Sequence, residues 1–450
     1  MIIKKINELI RGASGLAALI CLITLFSGCT ADDDKPVELR VLNYFDTTAA
    51  SSKDEVSFVW ETFEKTNPDI KIIREDLFNT PFHERVEAYL AAGELPDVMY
   101  VWPSGRSAQL HTRNLFKNLE PLIKRDKLDQ QFTSVALDPG GQISNRIGIL
   151  PRTITASSAF YVNLDILDEC ALAPARTYEE LKAQVPVLAA NGYKTVLMAN
   201  EDSWVMQSCL FSLVAGRFCG QGWTQRILSG KAKFTDADFV DALAFIKTIY
   251  DDGVISRDSL STSYPDVTVQ FADGRAPYFI DGDWRVAAFV TDQTTGRVLI
   301  SPERQKNFFI TVFPDIPAAK INKSSSVVLG TGFGINAAIK KGSAREAAAW
   351  KLVKWLSGAE VQSWLLRTGG IATPTRNDIN VAALNLEPMQ IAAGNLSKEY
   401  DKSTPVIDGA FEKDVYDPIN EGLRDIGLGT RTPRQVAEAV QAAFEGWRRD

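Results

Sequence analysis

The sequence predicts an α/β fold in two lobes. Strand and helix patterns alternate along the chain, a βαβα rhythm that implies largely parallel sheets covered by helices on both faces. Over 400 residues follow a leader-like N-terminus, more than one core holds, so two lobes are expected. No period of about 20 to 50 residues repeats, which argues against solenoids and propellers.

The leader is set apart first. Lys4, Lys5 and Arg11 precede an uncharged stretch from Gly12 to Gly28. A basic start, a short apolar run and small residues before a cysteine make an export signal. The run's 17 residues are fewer than the ~20 that span a bilayer. Ser27-Gly28-Cys29 resembles a lipobox, in which Cys29 is diacylated and begins the mature chain, although Phe26 replaces the usual small aliphatic residue. An ordinary signal peptide cut nearby, or an uncleaved anchor, is the alternative. Residues 1–28 are thus read as signal and 29–36, with three consecutive Asp, as a solvated tether.

The first lobe opens with ELRVLNYF (38–45), an alternating run of strand formers. Val56, Val59, Trp60 and Phe63 then fall at helical spacing. Asn67-Pro68 stops that helix, DIKII follows as a strand, and FHERVEAYLAAGE predicts the next helix. DVMYVW is a nearly continuous apolar strand. Further on, Thr177 with Glu180, Ser343 with Glu346, and Thr432 with Gln435 have capping-box spacing, and Pro433 takes the favoured first helical position. Glycine stops stand at Gly192, Gly253 and Gly369-Gly370.

Composition excludes several functions. The leader carries three cations against Glu8, a surplus of two, so the formal net charge of −7 becomes −9 without it. Nucleic acid is an unsuitable partner for such a surface. His83 and His111 are the only histidines, and both read as surface residues, so a Ser-His-Asp or Cys-His centre has little to draw on. HExxH and Walker motifs are absent, and GTGFG (330–334) lacks dinucleotide-loop spacing. No metal or cofactor is expected. Cys170, Cys209 and Cys219 have no CxxC spacing. A Cys209–Cys219 bridge and three buried thiols are equally compatible with them.

The tryptophans divide. Trp60, Trp350, Trp355, Trp364 and Trp447 lie in helical patterns and read as core. Trp102, Trp204, Trp223 and Trp284 stand at strand ends or in loops beside Gly, Ser, Asp or Glu. Ligands of open α/β folds bind at the carboxyl ends of strands, so these four suggest a groove that stacks a flat ligand. The alternative is that each plugs a loop against its own lobe.

Five segments taken together resemble the family 1 extracellular solute-binding proteins of ABC importers, the maltose-binding-protein-like group. They are GELPDVMYVW (93–102), residues 147–184 from IGILPRT to YEELKAQ, FADGRAPYFIDGDW (271–284), residues 327–374, and TRTPRQVAEAVQAAFEGW (430–447). They occur in family order and spacing, across nearly all of 38–448.

The resemblance implies a two-lobe periplasmic-binding-protein fold of type II-like topology, joined by hinge strands. One lobe would comprise 37–148 with 324–370, the other 149–323 with 371–450. It implies a sugar or oligosaccharide captured in the interlobe cleft by a monomer. The partners would be membrane permease subunits with a separate ATPase, reached from a lipid anchor on the periplasmic or extracytoplasmic face.

By the resemblance, Trp102 and Trp284 are ring-stacking positions. Arg106, Tyr44 and Asp46 fall in ligand-contacting loops, as do Glu201, Asp202 and Trp204. Tyr161 matches the family's tyrosine, Asp283 shares the Trp284 turn, and Trp223 joins the aromatic set. Gly105 stands where maltose-type binders often have an acid, and Thr155 where they often have Glu, so maltose itself is not implied. Two rivals remain at this level: an exported glycoside-acting enzyme with an aromatic groove, and a receptor that signals without transport.

Overall fold

The computed structural model describes residues 35–47, 52–103, 105–138, 146–293 and 295–448. The leader, Cys29 and most of the tether lie outside the described residues. Among those described, no helix is long and apolar enough to cross a membrane.

Among the described residues, eleven strands form two sheets. In chain order they are β1 (Val37–Tyr44), β2 (Ile70–Leu77), β3 (Val98–Val101), β4 (Ile149–Ala156), β5 (Ala159–Asn163), β6 (Val196–Leu197), β7 (Tyr278–Asp281), β8 (Phe308–Thr311), β9 (Ser324–Ile335), β10 (Thr373–Pro374) and β11 (Lys402–Pro405). The larger sheet has the order β10-β4-β9-β3-β1-β2, with β11 also on β9. The smaller has the order β6-β7-β5-β8.

The sheets are mixed, where the βαβα rhythm predicts mainly parallel ones. β1 lies parallel to β2 and β3, but β9 is antiparallel to both β3 and β4. In the smaller sheet only β6–β7 is parallel. The reason is connectivity. β4 leads the chain out of the first sheet and β9 brings it back, so the two must run in opposite directions. Periodicity marks a strand but not its direction.

β9 is the longest strand, 12 residues. Its C-terminal end pairs with β3, and Ser324–Val327 pair with β11. The crossing is sewn by small polar side chains. Ser157 and Ser158 hydroxyls lie 2.8 and 2.6 Å from Ser326 Oγ, all buried. Arg217, wholly buried, donates to the carbonyls of Phe313, Pro314 and Ser324 on the returning segment. A buried guanidinium needs such acceptors because its desolvation is expensive.

Each sheet has its own core. Leu39, Val59, Trp60, Val98, Leu150, Phe333, Trp350 and Leu365 belong to the first. Phe160, Leu210, Phe211, Trp223, Phe239, Ile246 and Phe444 pack on one face of the second sheet, and Tyr161, Phe271, Phe279, Phe289 and Met389 on the other.

Most of the local expectations are met. Helix Thr80–Ala92 occupies the FHERVEAYLAAGE segment. Thr177/Glu180 and Thr432/Gln435 form reciprocal capping boxes. At the third pair Ser343 accepts from Glu346 N, but the Glu346 carboxylate takes Gly342 N instead of the cap's own amide. Cys170, Cys209 and Cys219 are free, so the bridge that the sequence left open is not made.

Candidate functional site

The turn after β7 concentrates polar chemistry inside the second lobe. β7 is buried along its length and delivers Asp281 to a position with 0% exposure. An isolated carboxylate there would be prohibitive. Four groups hold it: Arg285 in an ion pair of 2.6 Å, Gly282 N at 2.7 Å, the Tyr264 hydroxyl at 3.1 Å and the Cys209 thiol. Arg285 also lies 3.5 Å from the Tyr264 ring centroid and donates to Thr268 Oγ1 at 2.6 Å. Burial, reinforced by the Asp281 charge, pushes the Tyr264 phenol and the Cys209 thiol well up. Both therefore stay protonated as donors.

This arrangement explains a tryptophan on a Gly-Asp turn. The Trp284 indole N–H donates to Tyr264 Oη at 2.6 Å. Its ring folds back over Gly282, where a Cβ would meet ring carbons at 2.2–2.3 Å. Only glycine leaves that space. The Gly282 carbonyl accepts from the Tyr161 hydroxyl at 2.8 Å. Trp204 stands 6.2 Å from Trp284 at 41°, and 5.4 Å from Tyr264. Trp204 and Trp284 are both half-buried, so the lobe carries a pair of tilted indoles at its strand ends.

The first lobe has a counterpart at the ends of β1 and β3. Trp102 meets Tyr44, Tyr100, Phe82 and His83 with ring centroids 5.0–5.8 Å apart, mostly edge-on. Tyr44 donates to Asn79 Oδ1 at 2.8 Å. The Trp102 carbonyl lies 3.0 Å from His111 Nε2. A carbonyl only accepts, so that nitrogen carries the proton. His111 is 2% exposed, which corrects its reading as a surface residue, and burial lowers its pKa. His83 is half-buried in the aromatic group.

The lobes approach each other beside Trp102. A Cβ on Gly105 would lie 2.2 Å from the Phe411 carbonyl oxygen and 2.8 Å from that of Asp408. Phe411 belongs to the second-lobe core, whereas Leu110, five residues after Gly105, belongs to the first. Absence of a side chain at Gly105 is what lets the two backbones meet.

The other predicted residues are placed as follows. Asp283 is 3% exposed and accepts from Ala156 N at 2.9 Å. It faces the end of β4, not a solute, and burial raises its pKa to about 7. Tyr161, at 0% exposure, supports Gly282 from within the lobe and offers no face to a ligand. Trp223 is a core plug at 2% exposure, with Phe239 and Phe411 at 5.9 and 6.0 Å. Its loop-like sequence neighbours concealed that it opens the helix Trp223–Leu228.

Glu201 and Asp202 are exposed beside Trp204, Asp46 follows β1 half-buried, and Thr155 is half-buried on β4 opposite Val328. The side chain of Arg106 lies outside the described set. Sequence reasoning missed Tyr264, Arg285, Tyr100 and Phe82, and it read Gly105 only as a departure from maltose-type binders, not as the point where backbones meet. Tyr264 begins a helix capped by Ser263 with Pro265 behind it, a local pattern that says nothing about its hydroxyl. Among the described residues, no group of three or more His, Cys, Asp or Glu could hold a metal ion.

With two sheets joined by crossing strands and an aromatic group at each lobe's strand ends, the molecule has the form of a two-lobe binding protein. The chain belongs to the bacterial extracellular solute-binding proteins, whose family model matches residues 59–383. Members of that family work outside the cytoplasm, which implies export. A curated relative, a multiple sugar-binding protein of Streptococcus mutans, is 20% identical over 291 residues, 63% of this chain and 66% of its own length. This chain thus spans just under two thirds of that relative.

Two solved structures share the fold. A chitin oligosaccharide binding protein superposes with a TM-score of 0.78 at 18% identity, covering 92% of this chain and 100% of its own. A protein studied for xylan utilization by Caldanaerobius polysaccharolyticus gives 0.77 at 21%, covering 90% and 99%. The resemblance drawn from the five sequence segments therefore holds at the level of family and fold.

Proposed function

We propose that this protein is the substrate-binding component of an ABC importer. It would capture a sugar or oligosaccharide between its lobes and deliver it to permease subunits served by a separate ATPase. The observation that carries this reading is the pair of aromatic groups, Tyr44/Trp102 on one lobe and Trp204/Trp284 on the other, each at strand ends where such folds bind ligands. Indole faces cover the apolar C–H face of a pyranose. Glu201, Asp202, Asp46, Arg106 and Thr155 are the polar candidates for its hydroxyls, the make-up of a small-molecule cleft. The sugar named for the curated relative and the oligosaccharide named for a structural neighbour support the same class.

The proposed lobes are 37–148 with 324–370 and 149–323 with 371–450, with β4 and β10 at the crossings hydrogen-bonded into the larger sheet. The protein would act as a monomer held by lipid on Cys29 at the outer face of the cell membrane or in the periplasm. A binding role fits the acids better than a glycosidase role. Glycoside hydrolysis needs two carboxyl groups presented across the scissile bond, whereas Asp281 is committed to Arg285 and Asp283 is turned to β4.

A thermal-shift screen of the Lys35–Asp450 fragment against mono- and oligosaccharides tests the reading. A ligand at 100 times its dissociation constant adds about 2.7 kcal/mol of stability. Stabilisation by no sugar, but by another solute class, would refute it. Turnover of the glycans would favour the enzyme.

A further inference from the structure

We propose that Tyr264 is the positioning residue of the second-lobe platform, its hydroxyl fixing the angle of the Trp284 indole against Trp204; the inference rests on the sugar-binding reading of the cleft. The hydroxyl has two assigned tasks. It accepts the indole N–H at 2.6 Å and donates to Asp281 Oδ1 at 3.1 Å. An indole N–H only donates and a carboxylate only accepts. The phenol proton is therefore directed at Asp281, and an oxygen lone pair faces Trp284. That order of protons is the only one that satisfies all three groups.

Tyr264 itself cannot drift. Its backbone opens a helix whose first turn is fixed by the Ser263 cap and Pro265. Its ring is covered by Arg285 at 3.5 Å, and Arg285 is tied to both Asp281 and Thr268. On the opposite side, Gly282 gives the indole a flat seat with no room for a Cβ. Seat and hydrogen bond together leave Trp284 one orientation. A stacking surface held in its binding orientation before the ligand arrives loses less entropy on binding.

Tyr264→Phe removes the hydroxyl and keeps the ring beneath Arg285. Asp281 retains Arg285, Gly282 N and the Cys209 thiol. The indole loses its acceptor and is free to tilt. Two indoles 6.2 Å apart couple as excitons, so their relative angle is read directly from circular dichroism of the ligand-free protein. The couplet is defined as the signal lost in Trp204→Phe.

In Tyr264→Phe the couplet should collapse, and affinity for the best sugar of the screen should fall about tenfold, the size of one net hydrogen bond. A residue with a purely structural role would lower the unfolding midpoint and leave the couplet in place, and that result overturns the proposal. A second measurement is read on the wild-type protein. In the wild-type protein the Trp284 indole N–H, assigned by its loss in Trp284→Phe, should exchange slowly with solvent. Fast exchange overturns the proposal. If no sugar binds the wild type, the carbohydrate reading falls, while couplet and exchange still decide for or against Tyr264.

Discussion

Gly105→Ala is the sharpest test of how the lobes meet. The substitution adds one carbon to the first lobe, and that carbon would sit 2.2 Å from the Phe411 carbonyl oxygen, 2.8 Å from the Asp408 oxygen and 2.8 Å from the Phe411 carbonyl carbon. Ordinary contact begins at 3.4 Å, so the shortfall to the nearest atom is 1.2 Å (3.4 less 2.2). All three obstacles are backbone and cannot rotate away. The relief available is separation of the 105 loop from the 408–411 segment. Overpacking of this kind costs about 1–3 kcal/mol.

That penalty falls on the arrangement in which the lobes touch, because neither core loses an atom. Affinity for the screened sugar should therefore weaken roughly 5- to 150-fold at about 1.4 kcal/mol per factor of ten. The denaturant midpoint of each lobe should stay close to wild type. Calorimetric titration measures the first quantity, urea unfolding the second, and solution scattering should show a larger radius of gyration with ligand present. Wild-type affinity together with a wild-type radius would refute the reasoning, since the contact would then carry no part of closure.

Three further outcomes follow from other residues. Trp284→Ala should cost less folding stability than the about 3–5 kcal/mol of a core aromatic deletion, because the ring is half-buried; it should cost at least about 2 kcal/mol of binding, near thirtyfold, and a large unfolding penalty with unchanged titration would reject the platform. Asp283, raised by burial to about 7, keeps a proton in the folded state that the unfolded chain has released, so stability should fall as pH rises from the ordinary carboxylate range through about 7 and then level off. Asp283→Asn should flatten that slope in urea midpoints taken at both ends of the window, and an unchanged slope would assign it to other groups. Cys29→Ser should abolish partition into detergent phase and acyl labelling, and equal behaviour of mutant and wild type would exclude lipidation at this residue.

What the sequence determined by itself was local. A period-two run named β1, a nearly continuous apolar run named β3, helical spacing named the helical stretch that carries Val56, Val59, Trp60 and Phe63, and Ser or Thr caps set helix starts to the residue. Each such signal is complete within one or two turns of chain, so no distant partner is needed to read it. Family motifs extended this to the fold, and Trp102, Trp204 and Trp284 were legible because bulky aromatics beside Gly and Asp are poor choices for an ordinary loop.

Tertiary structure alone decided which of those aromatics stay half-buried at strand ends and which is packed into the core. Trp223 has the same kind of neighbours as Trp204, yet the helix it opens turns it into the core against Phe239 and Phe411. Asp283 looked like a ligand residue until β4, 127 positions earlier, supplied the amide it accepts. Gly105 owes its identity to a carbonyl at Phe411, and Tyr264 owes its role to an indole 20 residues away. These contacts join segments that are separate in the chain and meet only when the elements pack. Their partners are set by sheet order and direction, which depend on loop closure and burial over the whole chain, and no spacing within a short window carries that information.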